Sequence, residues 1–536
     1  MRRYVMLLEI GRKQKYIFSS NRLAENIGAS IIIRNATERD AQNIYNQFEP
    51  ADRPDVIYEG GGNCLYVFRS KEAGKRFAEA YSRYIIITYP GITLYLVGTE
   101  LADGESVQNG INRCYKLLAE KKNSREHTAE MMDFGNTVRC ASTNLPAAPF
   151  GSSKKKYLPE GMREKNFSAE SLKKFEVAQK EQKEFFAELL KGLPERSDGK
   201  RWAFPGKLDE LGRSMDEKSY IAVVHIDGNR MGRKIAAFNE SMKREAEESS
   251  EEFDCRYIRE LGKLSREIKE KYKEAFAGTI RVLVANMEKL REPLDIVTKE
   301  NVEYLPIRPL ILAGDDICFV SDGRIGIDIT RVFLEEIKKN RVQNLPMNAC
   351  GGVAIVKAHF PFSRAYDLAE ELCENGKDAI GGENDAPDAS YLDWHVDQGE
   401  LDENLSAIRS KYKVQEGVYL NMRPYRVGDR ADIGKANDEA LYYHFTGACD
   451  IIRKNARSKV KGFRDIALRG PEAGEYYIKS NRLDEEDIGL HRTQWKSGEG
   501  GFAAMRDGTR RHMFYDAMEV MDVYIELEDI DGKIQN

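Results

Sequence analysis

Three aspartates stand where side-chain chemistry is expected. Asp227 closes an apolar run, YIAVVHI (Tyr220 to Ile226), and Asp315 and Asp316 sit together between two others, PLIL and ICFV. Such a pair is costly unless a cation or hydrogen bonds neutralise it, because like charges in a poorly solvated place repel. Binding of Mg2+ or Mn2+ removes that cost, since these ions prefer hard oxygen ligands. Carboxylates converging from separate strands on two ions about 3.5–4 Å apart suit nucleotidyl transfer, in which charge develops on several oxygens at once. Gly228, Asn229 and Arg230 follow Asp227 and lead into a predicted helix, whose first N–H groups would face triphosphate oxygens. Lys377 ends the helical run RAYDLAEELCENGK and offers a mobile point charge for the β and γ phosphates.

The elements that must position these residues occur twice. From Tyr4 to about Leu101 the order is a strand (YVMLLEI), a helix from near Lys13, two apolar runs meeting at glycines (VIYEGGGNCLYVF), a helix (Lys71 to Tyr84) and a strand (ITLYLVG). From Tyr220 the same order returns with YIAVVHI, a helix from about Met231, PLILAGDDICFV, a helix (Ile325 to Lys338) and ACGGVAIV. Strand, helix, hairpin, helix, strand is the order of a ferredoxin-like palm, so the expected class is α+β with two palms. The repeat aligns Ile10-Gly11 with Asp227-Gly228 and Gly62-Asn63-Cys64 with Gly314-Asp315-Asp316, leaving the first palm degenerate and without carboxylates. The expected domains are a first palm over 1–110, a helical insertion over 111–218 with a long amphipathic stretch from Ser168 to Leu193, a second palm over 219–401, and a helical domain over 402–536.

Composition bounds the partners. The chain has 536 residues, 41% hydrophobic and 32% charged, with a net charge of −5, so it lacks the overall cationic field of a protein that coats nucleic acid. Basic residues cluster locally, at Lys154 to Lys156 and between Arg453 and Arg464. No apolar run approaches the roughly 18 to 20 residues of a membrane span, and no secretory signal is evident. The eight cysteines show no paired C-x-x-C spacing, which fits a reducing cytoplasm; Cys140 is followed by Thr143, and no zinc site is expected.

With AGDD (Ala313 to Asp316), DGNRMG (Asp227 to Gly232), FSSNRLAENIGAS (Phe18 to Ser30), YEGGGN (Tyr58 to Asn63), RPYRV (Arg423 to Val427) and ARSKVKGFRDIALRG (Ala456 to Gly470), the chain resembles the large polymerase-like subunit of type III CRISPR effector complexes. Members commonly carry G-G-D-D, where Ala313 here replaces the first glycine. The resemblance implies a form lacking the HD nuclease domain. It implies a synthase that joins ATP into cyclic oligoadenylate messengers for antiviral defence. Carried over by position, Asp227, Asp315 and Asp316 would hold Mg2+, with Ile226 as a further metal contact. Gly228, Asn229, Gly314 and Lys377 would meet the donor triphosphate, and Ser30 and Asn63 the acceptor nucleotide in the first palm. Partners would be other CRISPR effector subunits and guide or target RNA; self-association stays open. Two rival readings remain: a structural scaffold in the ribonucleoprotein, supported by the basic tail, and a synthase of another signal, a cyclic dinucleotide or an ATP conjugate.

Overall fold

The computed structural model describes residues 3–126, 135–149, 153–194, 198–207, 210–211, 219–299, 301–343, 345–380, 389–397, 399, 404–428, 439–481, 483 and 499–529. Tyr4–Gly11 is the inner strand of an antiparallel sheet, with Asn63–Phe68 and then Asp55–Gly60 on one side and Thr93–Glu100 on the other. In the second repeat Tyr220–Gly228 takes the inner place, with Asp316–Asp322 and Ile307–Ala313 on one side and Ala349–Lys357 on the other. Both sheets therefore order their strands second, third, first, fourth. The second sheet is extended past Ala349–Lys357 by Tyr391–Val396, which runs parallel to it, and by Tyr425–Arg426.

The hairpin turns fix how the repeats correspond. Gly60 pairs with Asn63 across Gly61-Gly62, and Ala313 pairs with Asp316 across Gly314-Asp315. Gly61 and Gly314 both adopt positive φ, 61° and 73°, which a residue with a side chain rarely does. Asn63 thus stands at the place of Asp316 and Gly62 at that of Asp315, which corrects the sequence alignment by one residue. The cross-strand register says the same: Glu9 lies opposite Asn63, and the pairing of Ile226 with Ile317, continued one step, sets Asp227 opposite Asp316. Glu9 is therefore the counterpart of Asp227. Three residues on from each, Arg12 and Arg230 share a left-handed conformation, φ 52° and 54°, as the N-caps of helices Lys13–Ile17 and Met231–Ser241. The first repeat does keep a carboxylate; aligning Gly11 with Gly228 had hidden it.

The expected boundaries also shift. Helix Val107–Glu126 packs on Tyr4–Gly11 and Thr93–Glu100, so it belongs to the first repeat and a boundary at 110 would cut it. Its counterpart after the fourth strand of the second repeat is helix Phe362–Asp378. The amphipathic stretch forms helix Ala169–Leu190, begun by Ser168, whose side chain accepts from Ser171 N. It lies along helix Leu23–Asn35 so closely that a Cβ on Gly28 would stand 2.0 Å from the Lys174 carbonyl oxygen. Fully buried Lys174 donates to Tyr16 O at 2.6 Å and Ser19 Oγ at 2.9 Å and pairs with Glu170. The insertion is thus welded to the first repeat. In the second repeat, Ser249 and Glu252 form a reciprocal cap that starts the 45-residue helix Ser250–Leu294. This helix packs on Asp55–Gly60, where Lys269 Nζ reaches Glu38 Oε1 at 2.5 Å.

The C-terminal region is mixed rather than purely helical. It holds helices Tyr442–Arg453, Arg457–Ala467 and Pro471–Ser480 together with a small sheet of Lys413–Gln415, Val418–Tyr419, Arg510–His512 and Phe502–Ala504. Arg423 pins it to the second sheet. Its guanidinium, fully buried, donates to Trp394 O at 2.8 Å and lies 3.0 Å from Asp516 and 2.8 Å from Glu519, close but not aligned for hydrogen bonds to these two. Removing one partner of a buried ion cluster strands the others. Arg423→Ala is expected to cost about 3–5 kcal/mol in urea unfolding followed by tryptophan fluorescence, whereas Arg457→Ala, at an exposed pair with Asp522, is expected to cost under about 1 kcal/mol.

Candidate active site

The Asp227 strand and the strand that Asp316 opens are neighbours in the sheet, with Asp227 and the Asp315-Asp316 turn at the same end. Gly228 is required there: a Cβ on it would stand 2.5 Å from Tyr272 Oη and 2.8 Å from Asp315 Cβ. Burial first, then the neighbouring charge of Asp227, pushes the Asp315 carboxyl up to about 7. Asp316 is pushed up to about 6, again by burial first, with Lys13 opposing the rise and Asp227 adding to it. Asp316 Oδ1 is a buried acceptor with no hydrogen-bond donor, 3.7 Å from His225 Nδ1. His225 is buried and its burial favours the neutral ring, so it does not discharge the acid. An orphaned carboxylate oxygen inside a like-charge group is what a hard divalent cation fits.

Among the described residues no three acids, histidines or cysteines already form a metal cage. Asp227 is turned instead to Lys377, whose Nζ pairs with its Oδ2. Burial works against the Lys377 charge, but Asp227 more than restores it and raises its pKa. Lys377 is thus committed to the acid edge, rather than swinging free at a helix end. Ile226 is fully buried and its side chain has no donor atom, so any metal contact would fall to its main-chain carbonyl.

Asn229 is 1% exposed; its N–H donates to Asn348 O at 3.0 Å and its amide to Ala389 O at 2.9 Å, while its own Oδ1 is unpartnered. It braces the turn after the strand and has no exposed face for a ligand in this conformation. Arg230 continues the brace by donating to Ile380 O at 2.6 Å. Gly314 is at the open tip of the hairpin, where a Cβ would meet nothing within 4 Å.

The two repeats meet beside the acids. Lys13 Nζ donates to Gly61 O at 2.6 Å, and a Cβ on Gly61 would stand 3.3 Å from Ala313 O. Ser30, Lys13, Gly61, Ala313 and Asp316 line a narrow crevice of about 40 Å³, so the structure brings Ser30 to the acid edge. Asn63 lies in the first repeat at the matching edge, opposite Glu9. A larger cavity, about 690 Å³, opens at Gly11, Arg12, Tyr16, Thr93, Tyr366 and Asp367. Phe18 stacks on Tyr366 at 4.2 Å, and Asn21 Oδ1 accepts from Phe362 N at 2.8 Å, joining the repeats along its wall.

Sequence reasoning missed Lys13, His225 and Glu9. His225 was findable, because strand alternation puts it on the Asp227 face; Lys13 was not, since its relation to Asp316 crosses between repeats. The basic tail is also less available than its sequence suggests: Arg457 and Lys461 face Asp522, and Lys459 donates to Asn481 O.

An acid whose folded pKa is raised makes the fold lose stability as pH climbs from the unfolded value, 3.8, towards the folded one, about 7 for Asp315 and about 6 for Asp316. In calorimetry with EDTA, Asp315→Asn/Asp316→Asn is expected to gain melting temperature relative to wild type as pH rises over that window. Millimolar Mg2+ is expected to shrink the difference by stabilising the wild type alone.

No family model and no curated protein matches the sequence. Solved structures do match in fold. An apo Csm1-Csm4 cassette aligns with TM-score 0.52 at 12% identity, covering 97% of this chain and 69% of that one. A Csm1-Csm4 cassette in complex with cA3 aligns with TM-score 0.51 at 13% identity over the same shares, 97% and 69%. Csm1 of T. onnurineus aligns with TM-score 0.50 at 12% identity, again over 97% and 69%. What the chain shares with Csm1 over nearly its whole length is therefore the α+β fold.

Proposed function

We propose that this chain is a metal-dependent nucleotidyltransferase, a large polymerase-like subunit of the type III CRISPR kind, which joins ATP into a cyclic oligoadenylate. The observation that carries the reading is the acid edge: Asp227 and the Asp315-Asp316 pair, from separate strands, with an orphaned oxygen on Asp316 and the carboxyls of Asp315 and Asp316 pushed up by burial. The fold shared with a Csm1-Csm4 cassette in complex with cA3 supports it.

Each repeat is read as a palm. Asp227, Asp315 and Asp316, with the Ile226 carbonyl, would hold Mg2+ or Mn2+, which when bound lowers the pKa of a ribose hydroxyl and offsets triphosphate charge. Lys377, released from Asp227, would move its charge to the donor phosphates, and the Gly228 and Gly314 backbones would let the nucleotide approach. Asn229 would hold the turn rather than touch phosphate, given its two internal donations. The acceptor nucleotide would lie towards Ser30 and the cavity at Arg12, whose volume of about 690 Å³ is ample for a nucleotide. Catalysis would be positioning and charge compensation. A scaffold alone does not account for an acid edge kept at an electrostatic cost.

Incubation of the protein with α-labelled ATP and Mg2+, alone and with its copurifying partners, is expected to release pyrophosphate and yield a phosphatase-resistant product. Asp315→Ala/Asp316→Ala is expected to lower the rate by at least about 10²–10³-fold; equal rates for variant and wild type would sink the assignment. Lys377→Met is expected to raise KM for ATP more than it lowers kcat. Mass spectrometry after supplying mixed nucleoside triphosphates separates an oligoadenylate from a cyclic dinucleotide or a conjugate. An absorbance ratio at 260 and 280 nm characteristic of RNA, with no product formed, would favour the scaffold.

A further inference from the structure

The palms share more than their sheets. The helix after the fourth strand starts at Val107 in the first and at Phe362 in the second, and the residue fifteen positions on is a lysine in both, Lys122 and Lys377. Lys122 Nζ lies 2.6 Å from Glu9 Oε1, as Lys377 Nζ pairs with Asp227 Oδ2. Because Glu9 is the counterpart of Asp227, the acid–lysine pair is itself repeated. What is not repeated is the hairpin pair, for Gly62 and Asn63 stand at the places of Asp315 and Asp316.

The charges then differ. Glu9 and Lys122 sum to zero, while three aspartates outnumber the cations that face them, Lys377 and, across the repeats, Lys13. A net negative cluster leaves charge for a divalent ion to neutralise; a balanced pair leaves none. Glu9 is only 21% exposed, so its charge needs a partner. Asn63, opposite it, brings a neutral amide, and Lys121, next along the helix, donates to Leu96 O at 2.7 Å.

We propose that Lys122 is a built-in counter-cation that takes the electrostatic role of a divalent ion in the first palm: with Asn63 rather than an acid beside Glu9, it leaves no charge there for such an ion. The inference rests on reading Asp227, Asp315 and Asp316 as the divalent site. A tethered ammonium is always present, so the first palm keeps its form at any ion concentration. It also makes Lys122 a positioning residue for the Glu9 strand end.

The test is Mn2+ binding to the full chain, read from the electron paramagnetic resonance signal of free Mn2+, with thermal melts to verify folding. Asn63→Asp restores an acid opposite Glu9. Alone it is expected to add no bound ion, because Lys122 still compensates Glu9. Asn63→Asp with Lys122→Gln is expected to bind one more Mn2+ per chain. Lys122→Arg in place of Lys122→Gln is expected to block that gain, and adding Glu9→Gln to abolish it. An extra ion with Asn63→Asp alone, or none in the folded Asn63→Asp/Lys122→Gln variant, overturns the proposal. Should that variant not fold, Asp315→Asn/Asp316→Asn decides: it is expected to bind no Mn2+, and residual binding removed by Glu9→Gln overturns the proposal. Residual binding untouched by Glu9→Gln, at the wild-type level, speaks instead against the acid edge of the second palm.

Discussion

Carboxylates at the ends of neighbouring strands repel, and the repulsion grows as the surrounding sheet excludes water. At Asp227, Asp315 and Asp316 the chain sustains that repulsion without discharging it through a fixed arginine. Burial and mutual charge push two of the three carboxyls up to about 7 and about 6, and one oxygen of Asp316 is left with no donor. The remaining acid, Asp227, is held by Lys377 near the end of its helix and by the Gly228 N–H.

Everything around this edge keeps it in place. Gly228 lets Asp315 and Tyr272 close on the strand end, where any side chain would collide. Asn229 and Arg230 tie the following turn to Asn348, Ala389 and Ile380, so the Asp227 strand cannot drift from its neighbours. From the other side the first repeat presses its own hairpin on Ala313 and sets Lys13 towards Asp316. The insertion helix stabilises that first repeat through buried Lys174, and the tail stabilises the outer strands of the second sheet through Arg423. The helical insertion and the tail thus act as buttresses rather than as separate modules.

The pseudo-symmetry gives the asymmetry its meaning. Both repeats have a strand-end acid, a left-handed arginine three residues on and a lysine on the facing helix. Among the acids they differ at the hairpin, where Gly62 and Asn63 stand at the places of Asp315 and Asp316.

The sequence by itself determined the strand, helix, hairpin, helix, strand order, the doubling of that order and the location of the three aspartates, because apolar periodicity and hairpin glycines are local signals. It also determined that Lys377 ends a helix. Only the tertiary structure decided the register between the repeats. A one-residue slip leaves the apolar pattern of a short run almost unchanged while moving each side chain to the other face, and so Glu9 went unseen behind Ile10. The pairing of Lys377 with Asp227, the approach of His225 to Asp316, the reach of Lys13 across the repeats and the bond of Lys122 to Glu9 likewise join residues far apart in the chain. No local pattern specifies such contacts, because they exist only once sheets, helices and their charges have been packed together.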